Sequence, residues 1–97
     1  MPKLAIIAII ETAAGKRDQV VPLLKTHGAR CLKDEPGTLH FEIMVPREDD
    51  SKIYLHEVYQ DDAAFETHRN SASIARFRQE SAGMIVKIDV IRTTPVE

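Results

Sequence analysis

Tryptophan is absent from this chain, and the other aromatics are few: two Tyr and three Phe in 97 residues. That leaves no platform on which nucleic-acid bases could stack. There is no basic run either, and the formal net charge is -2, so nucleic acid is not an expected partner. The single cysteine, Cys31, cannot form an internal disulfide and fits a reducing compartment. Its helical setting reads as a small buried hydrophobe, since a nucleophilic thiol would need a base and an electropositive setting. No apolar run approaches the roughly 18 residues needed to span a bilayer. The run Leu4 to Ile10 has only Lys3 as a preceding charge, ends at Glu11 and is followed by no A-x-A site, so it reads as a buried strand and not as a signal peptide. The expectation is a soluble, cytoplasmic protein without membrane contact. Also missing are a Gly-rich phosphate loop, a nucleophile elbow, a dinucleotide fingerprint and a His-x-x-x-His pair, so no metal is expected.

What is present suits one domain spanning residues 1–97. A chain this short buries roughly 60–65% of its unfolded surface, so its core is modest and association would help it. Apolar residues at 43% and charged residues at 29% are in the ordinary range for a soluble globule. Leu4 to Ile10 is apolar on both parities, as in a strand covered on two faces. From Lys16 the pattern turns helical, with Val20, Leu24, His27 and Cys31 on one face. Pro22 either bends this helix or moves its regular start toward Asp18. Asp34-Glu35-Pro36-Gly37 ends it, because Pro36 disfavours helical geometry at Glu35 and Gly37 can take positive φ.

Thr38 to Val45 alternates, with Leu39, Phe41, Ile43 and Val45 opposite His40, Glu42 and Met44. Ile53 to Tyr59 alternates again, and a hairpin closing near Asp49 sets Phe41 beside Glu57, Ile43 beside Leu55 and Val45 beside Ile53. Their shared face is apolar except at Glu57 and Tyr59. Asp61 or Asp62 caps a short helix with Ala64, Phe65 and His68 on one face. After Asn70-Ser71-Ala72-Ser73 a second helix turns Ile74 and Phe77 inward, Gly83 stops it, and Met84 to Arg92 is a last strand. The order strand, helix, strand, strand, helix pair, strand is the split βαβ or ferredoxin-like arrangement, an α+β fold with a four-stranded antiparallel sheet. One sheet face takes the helices. The other, to which Ile7, Ile9, Met44, Tyr54, Val58, Val86, Ile88 and Val90 are assigned, is left bare and predicts a partner; two such sheets face to face make a dimeric barrel.

Three groups of residues at matching separations carry a resemblance: Glu35-Pro36-Gly37-Thr38-Leu39 with Phe41-Glu42, then Glu57-Val58-Tyr59-x-Asp61, then Ala64-Phe65-x-x-His68. Nearly the whole chain resembles the antibiotic biosynthesis monooxygenase (ABM) domain. That family of dimeric α+β barrels includes small cofactor-independent quinol or anthrone-type oxygenases. The same fold also hosts isomerases, haem-degrading enzymes and proteins without established activity. Where members often carry a Ser-Pro-His-like run after the His68 position, this chain has Ser71-Ala72-Ser73-Ile74, and no Trp is present to pack on haem.

The resemblance implies a homodimer that takes a small aromatic substrate and O2, with no cofactor. Ground-state oxygen is a triplet, so a closed-shell substrate must first be made a good one-electron donor by deprotonating a phenol, hydroquinone or enol. That needs a base, hydrogen bonds for the anion and a dry apolar pocket. His68 is the candidate base, because an imidazole ordinarily titrates near 6.5. Glu57 orients it or acts as base with a raised pKa, and Tyr59 donates to the developing oxyanion. Phe41, Leu55 and Phe65 supply apolar walls, and His40 joins them as a substrate-binding candidate if the strand parity shifts by one. Structural roles stand beside each of these. Glu57 pairs with Arg69 or Arg76, His68 bonds a backbone carbonyl, Tyr59 packs at a strand end, and His27, His40 and His56 are structural or solvent-facing. Three functional readings follow: a cofactor-free oxygenase, an isomerase of a small hydroxyketone, and a non-catalytic dimeric small-molecule-binding module.

Overall fold

Period-two alternation builds the sheet. In the computed structural model, which describes residues 2–96, β1 (Leu4–Thr12) buries Leu4, Ile6, Ala8 and Ile10 beneath the helices. Its odd-numbered residues point the other way, and Ile7 is 39% exposed. The strand is therefore covered on one face by its own chain, where its apolar run predicts cover on both. β2 (Thr38–Met44) and β3 (Lys52–Tyr59) form the expected hairpin, with Phe41 opposite Glu57 and Ile43 opposite Leu55. β2 ends before Val45, and a register shift between Thr38 and His40 leaves Leu39 exposed, so neither joins the buried face. β4 (Ile85–Thr93) pairs with β1, giving the sheet order β2-β3-β1-β4, all antiparallel.

The β1–β4 register corrects the sequence reading of β4. Val90 lies opposite Ala8 and Ile88 opposite Ile10, so both share the helix-covered face. Ile91, opposite Ile7, belongs instead to the bare face with Ile9, Met44, Tyr54 and Val58.

α1 (Arg17–Asp34) runs unbroken through Pro22 and buries Val20, Leu24, His27 and Cys31, the face its spacing predicts. Its N-cap is Lys16, without a side-chain bond, so Asp18 lies inside the first turn and is not the cap. α2 (Asp62–Arg69) is capped by Asp61, which accepts from the Ala64 N–H at 2.8 Å. α3 (Ala72–Glu80) is capped by Ser71, which accepts from the Ile74 N–H at 3.2 Å, and this second cap explains the break between the two helices. Gly83, at φ +80°, turns the chain into β4.

Two glycines mark close approaches. Gly37 does not take the positive φ expected of it; a Cβ there would run into Cβ of Ala64, so α2 leans directly on the turn that follows Glu35. Gly28 sits mid-helix against the ring of Phe41. In an exposed helix Gly→Ala gains up to about 1 kcal/mol. Here the sign reverses: Gly28→Ala is expected to cost about 1–3 kcal/mol in urea unfolding, because the added carbon overpacks the Phe41 ring. A stabilised variant would contradict this packing.

Candidate functional site

Pro36 drives Glu35 out of the helix at φ -115°, ψ 100°, and the buried Glu35 side chain turns inward. Its Oε1 accepts from Thr38 Oγ1 at 2.9 Å and lies 2.8 Å from Nδ1 of His68, which α2 presents on its buried face. On the far side of the imidazole, Nε2 is 3.9 Å from Oε1 of Glu57 on β3. That same Glu57 oxygen accepts a short hydrogen bond from the Tyr59 hydroxyl. All five side chains are buried.

The two carboxyls are set apart by their partners. Burial pushes Glu35 upward, but bonds from His68 and Thr38 outweigh it and hold its carboxyl below the usual range. Glu57 is raised, chiefly by burial, with the Tyr59 bond and His68 opposing only in part. Glu35 is therefore the stronger acid of the two and Glu57 the weaker. In the neutral tautomer that donates from Nδ1 to an ionised Glu35, Nε2 of His68 is the nitrogen that bears the lone pair. The Tyr59 hydroxyl is held protonated by burial and by the adjacent Glu57.

An open-sided cavity of about 610 Å³ lies between sheet and helices. His68 and Glu57 enter it, and Phe41, Leu55, Phe65 and Phe77 wall it. Arg69, Arg78 and Arg92 also line it. Arg69 and Arg92 lie over the Phe65 ring at 5.8 and 5.1 Å and both pair with Glu66.

The expected site residues divide. His68, Glu57, Phe41, Leu55 and Phe65 meet at the cavity as the sequence suggests. His40 does not: it stands exposed on the opposite face with Glu42 and His56, because strand alternation places it opposite Phe41 in orientation. Tyr59 is fully buried and does not line the cavity; its hydroxyl serves Glu57. Neither suggested arginine pairs with Glu57, since Arg69 bonds Glu66 and Arg76 bonds Glu80.

Two residues were missed. Glu35 looked like turn chemistry, although Pro36 and Thr38 beside it are what aim and hold it. His27 is buried against Phe77 (ring centroids 5.1 Å apart) and 5.6 Å from His68, where burial, with His68 and Arg30 adding, pushes it down to about 4. It is a neutral wall residue.

His27, Cys31 and His68 bring three soft donor atoms within 4.8 Å of one another. Cys31 Sγ lies 3.7 and 3.6 Å from the two His27 ring nitrogens, so it lies along the lone pair of neither, and burial pushes its thiol up to about 12. Nδ1 of His68 is already bound to Glu35. This cluster packs as a thiol against a ring and is not arranged as a ligand set.

A family model described as antibiotic biosynthesis monooxygenase matches residues 4–80. The chain belongs to that family. Among solved structures, a Pseudomonas aeruginosa protein is 25% identical, with a TM-score of 0.89 over 100% of this chain and 97% of its own. Two proteins that bear the family name provisionally share the fold. One, from Bacteroides thetaiotaomicron, is 19% identical (TM-score 0.89; 99% of this chain, 91% of that one). The other, from Nitrosomonas europaea, is 16% identical (TM-score 0.89; 97% and 90%). No curated protein matches. Among the described residues no helix is long and apolar enough to cross a membrane.

Proposed function

We propose that this chain is a homodimeric, cofactor-independent monooxygenase for a small quinol- or phenol-like aromatic. The observation that carries the reading is the buried Glu35–His68 pair, whose free imidazole nitrogen lies beside an apolar cavity large enough for such a ring.

In this scheme Nε2 of His68 takes the proton of a substrate hydroxyl, and the Glu35 carboxylate stabilises the imidazolium that forms. The phenolate is held by the positive arginines of the cavity and shielded from water by Phe41, Phe65 and Phe77. It passes one electron to O2, and the resulting radicals combine to form a C–O bond at a ring carbon that still bears hydrogen. The peroxide takes a proton from His68. Loss of the carbon-bound hydrogen then breaks the O–O bond, giving a carbonyl and water. One phenol and one O2 become one quinone and one water, with no outside reductant.

Glu57, biased toward its protonated form 3.9 Å from Nε2, supports a second reading in which acid and base move a proton through an enediol. Oxygen-electrode measurements with a panel of hydroquinones and naphthols separate the readings. Oxygenation predicts one O2 consumed per quinone formed. Solvent proton exchange into a hydroxyketone without oxygen uptake would favour the isomerase, and ligand-raised melting without turnover the binding module.

The homodimer rests on the bare face, where Ile7, Ile91, Met44 and Tyr54 are all at least 37% exposed. Ile7→Asp at its centre is expected to convert a dimer to a monomer in sedimentation equilibrium. An unchanged mass would remove the dimer from the proposal.

A further inference from the structure

The chain carries a formal net charge of -2, yet three of its arginines, Arg69, Arg78 and Arg92, line one cavity. Against them stands one carboxyl among the described lining residues, Glu57, whose burial favours its neutral form. The cavity lies on the helix side of the sheet, away from the face that the homodimer covers. Strand pairing fixes part of its layout: Glu57 and Arg92 flank Ile6 in one row across the sheet. Arg69 and Arg92 both reach Glu66, at 3.1 and 3.5 Å, so one carboxylate serves two guanidiniums. Arg78 pairs with no carboxylate among the described residues.

We propose that the substrate of this cavity is an anion, a phenol or quinol bearing a carboxylate, and that Arg78 takes that carboxylate. The inference rests on the reading of the cavity as an oxygenase site and narrows its substrate. An unpaired cation beside an apolar wall concentrates anions at the cavity mouth. A guanidinium presents a planar fork that matches a carboxylate through two parallel hydrogen bonds. Phosphate fits less well. Arg78 stands in the last turn of α3, where the helix dipole is negative, whereas helix N-termini are what hold phosphates. The Ser81 hydroxyl, which also lines the cavity, already donates to the Phe77 carbonyl at 2.8 Å and adds no donor. Arg78 and His68 stand on different helices, so the acid group and the hydroxyl of one ring meet separate elements. The carboxylate then fixes which hydroxyl reaches Nε2, and Arg69 and Arg92, beside Phe65, remain for the phenolate.

The test is calorimetric titration under nitrogen, where binding is measured without turnover. The probes are a hydroquinone carrying a carboxymethyl group, its methyl ester and its phosphonomethyl analogue. Wild type is expected to bind the acid about tenfold or more tightly than the ester. That preference should shrink between about 50 mM and about 500 mM sodium chloride. Arg78→Gln is expected to lower it by about tenfold, and Arg78→Lys to keep part of it. Arg76→Gln, which touches the Glu80 pair outside the cavity, leaves it unchanged. Both arginines are exposed, and circular dichroism verifies that each variant is folded. An ester bound as tightly as the acid, a preference unmoved by Arg78→Gln, or a phosphonate bound more tightly than the carboxylate would overturn the proposal. Oxygen uptake in air then separates the two readings. A preferred acid that consumes no oxygen sinks the oxygenase and leaves the anion site standing, whereas turnover of neutral hydroquinones without acid preference does the reverse.

Discussion

His68→Ala is expected to lower kcat/KM for quinol oxygenation by about 10²- to 10⁴-fold, the range a positioned general base supplies. The loss should fall mainly on kcat, because the Phe41, Leu55 and Phe65 walls that bind the ring are untouched. The deletion also strips Glu35 of the bond that helps to keep it ionised in a buried place, so some stability goes with it. Glu35→Gln separates the two effects. Its amide oxygen still accepts from Thr38 and from Nδ1 of His68, so geometry is kept while the charge facing the imidazolium is lost. A loss of about 10- to 10²-fold in kcat with unchanged KM is expected for it. Equal oxygen uptake by wild type and His68→Ala would remove the imidazole from the chemistry altogether.

A second large effect concerns acid. His27 is 2% exposed among Phe41, Phe77 and His68 and titrates at about 4 in the fold, against an ordinary 6.5. The unfolded chain therefore binds a proton on this ring that the folded chain refuses. Its contribution is fully present above pH 6.5 and is lost as pH falls toward 4, about 3 kcal/mol in all. Glu35, whose folded value is depressed, adds stability that disappears at still lower pH, below the ordinary carboxyl value. Glu57 acts in the opposite sense: its raised value favours the fold at low pH and weakens it as pH rises through that value. His27→Phe keeps the stack on Phe77 and removes only the histidine's share. Urea unfolding at pH 7 and pH 4.5 should show a drop in wild type that exceeds the drop in His27→Phe by about 2–3 kcal/mol. Parallel losses in both proteins would mean that His27 is not the acid-sensitive group.

How far the site could be read from the chain depended on whether a partner lay close in sequence. Glu57 was legible because a lone carboxylate on an apolar strand face breaks the alternation around it. His68 was legible because it shares a helix face with Phe65. Glu35 was hidden: its inward turn depends on Pro36 and Thr38 nearby, but its meaning depends on His68, 33 residues away and on another helix.

Local pattern alone determined the element order, the α1 face, the β2–β3 register from Phe41 to Ile43, and the capping that separates α2 from α3. Each of these follows from a period or a turn that neighbouring residues impose on one another. Only the tertiary structure decided which β4 residues look into the cavity and which carboxyl is the weaker acid. A strand's facing is set by the register it adopts against its neighbour, and a carboxyl's proton by the burial and donors around it. Both arise only when distant parts of the chain meet.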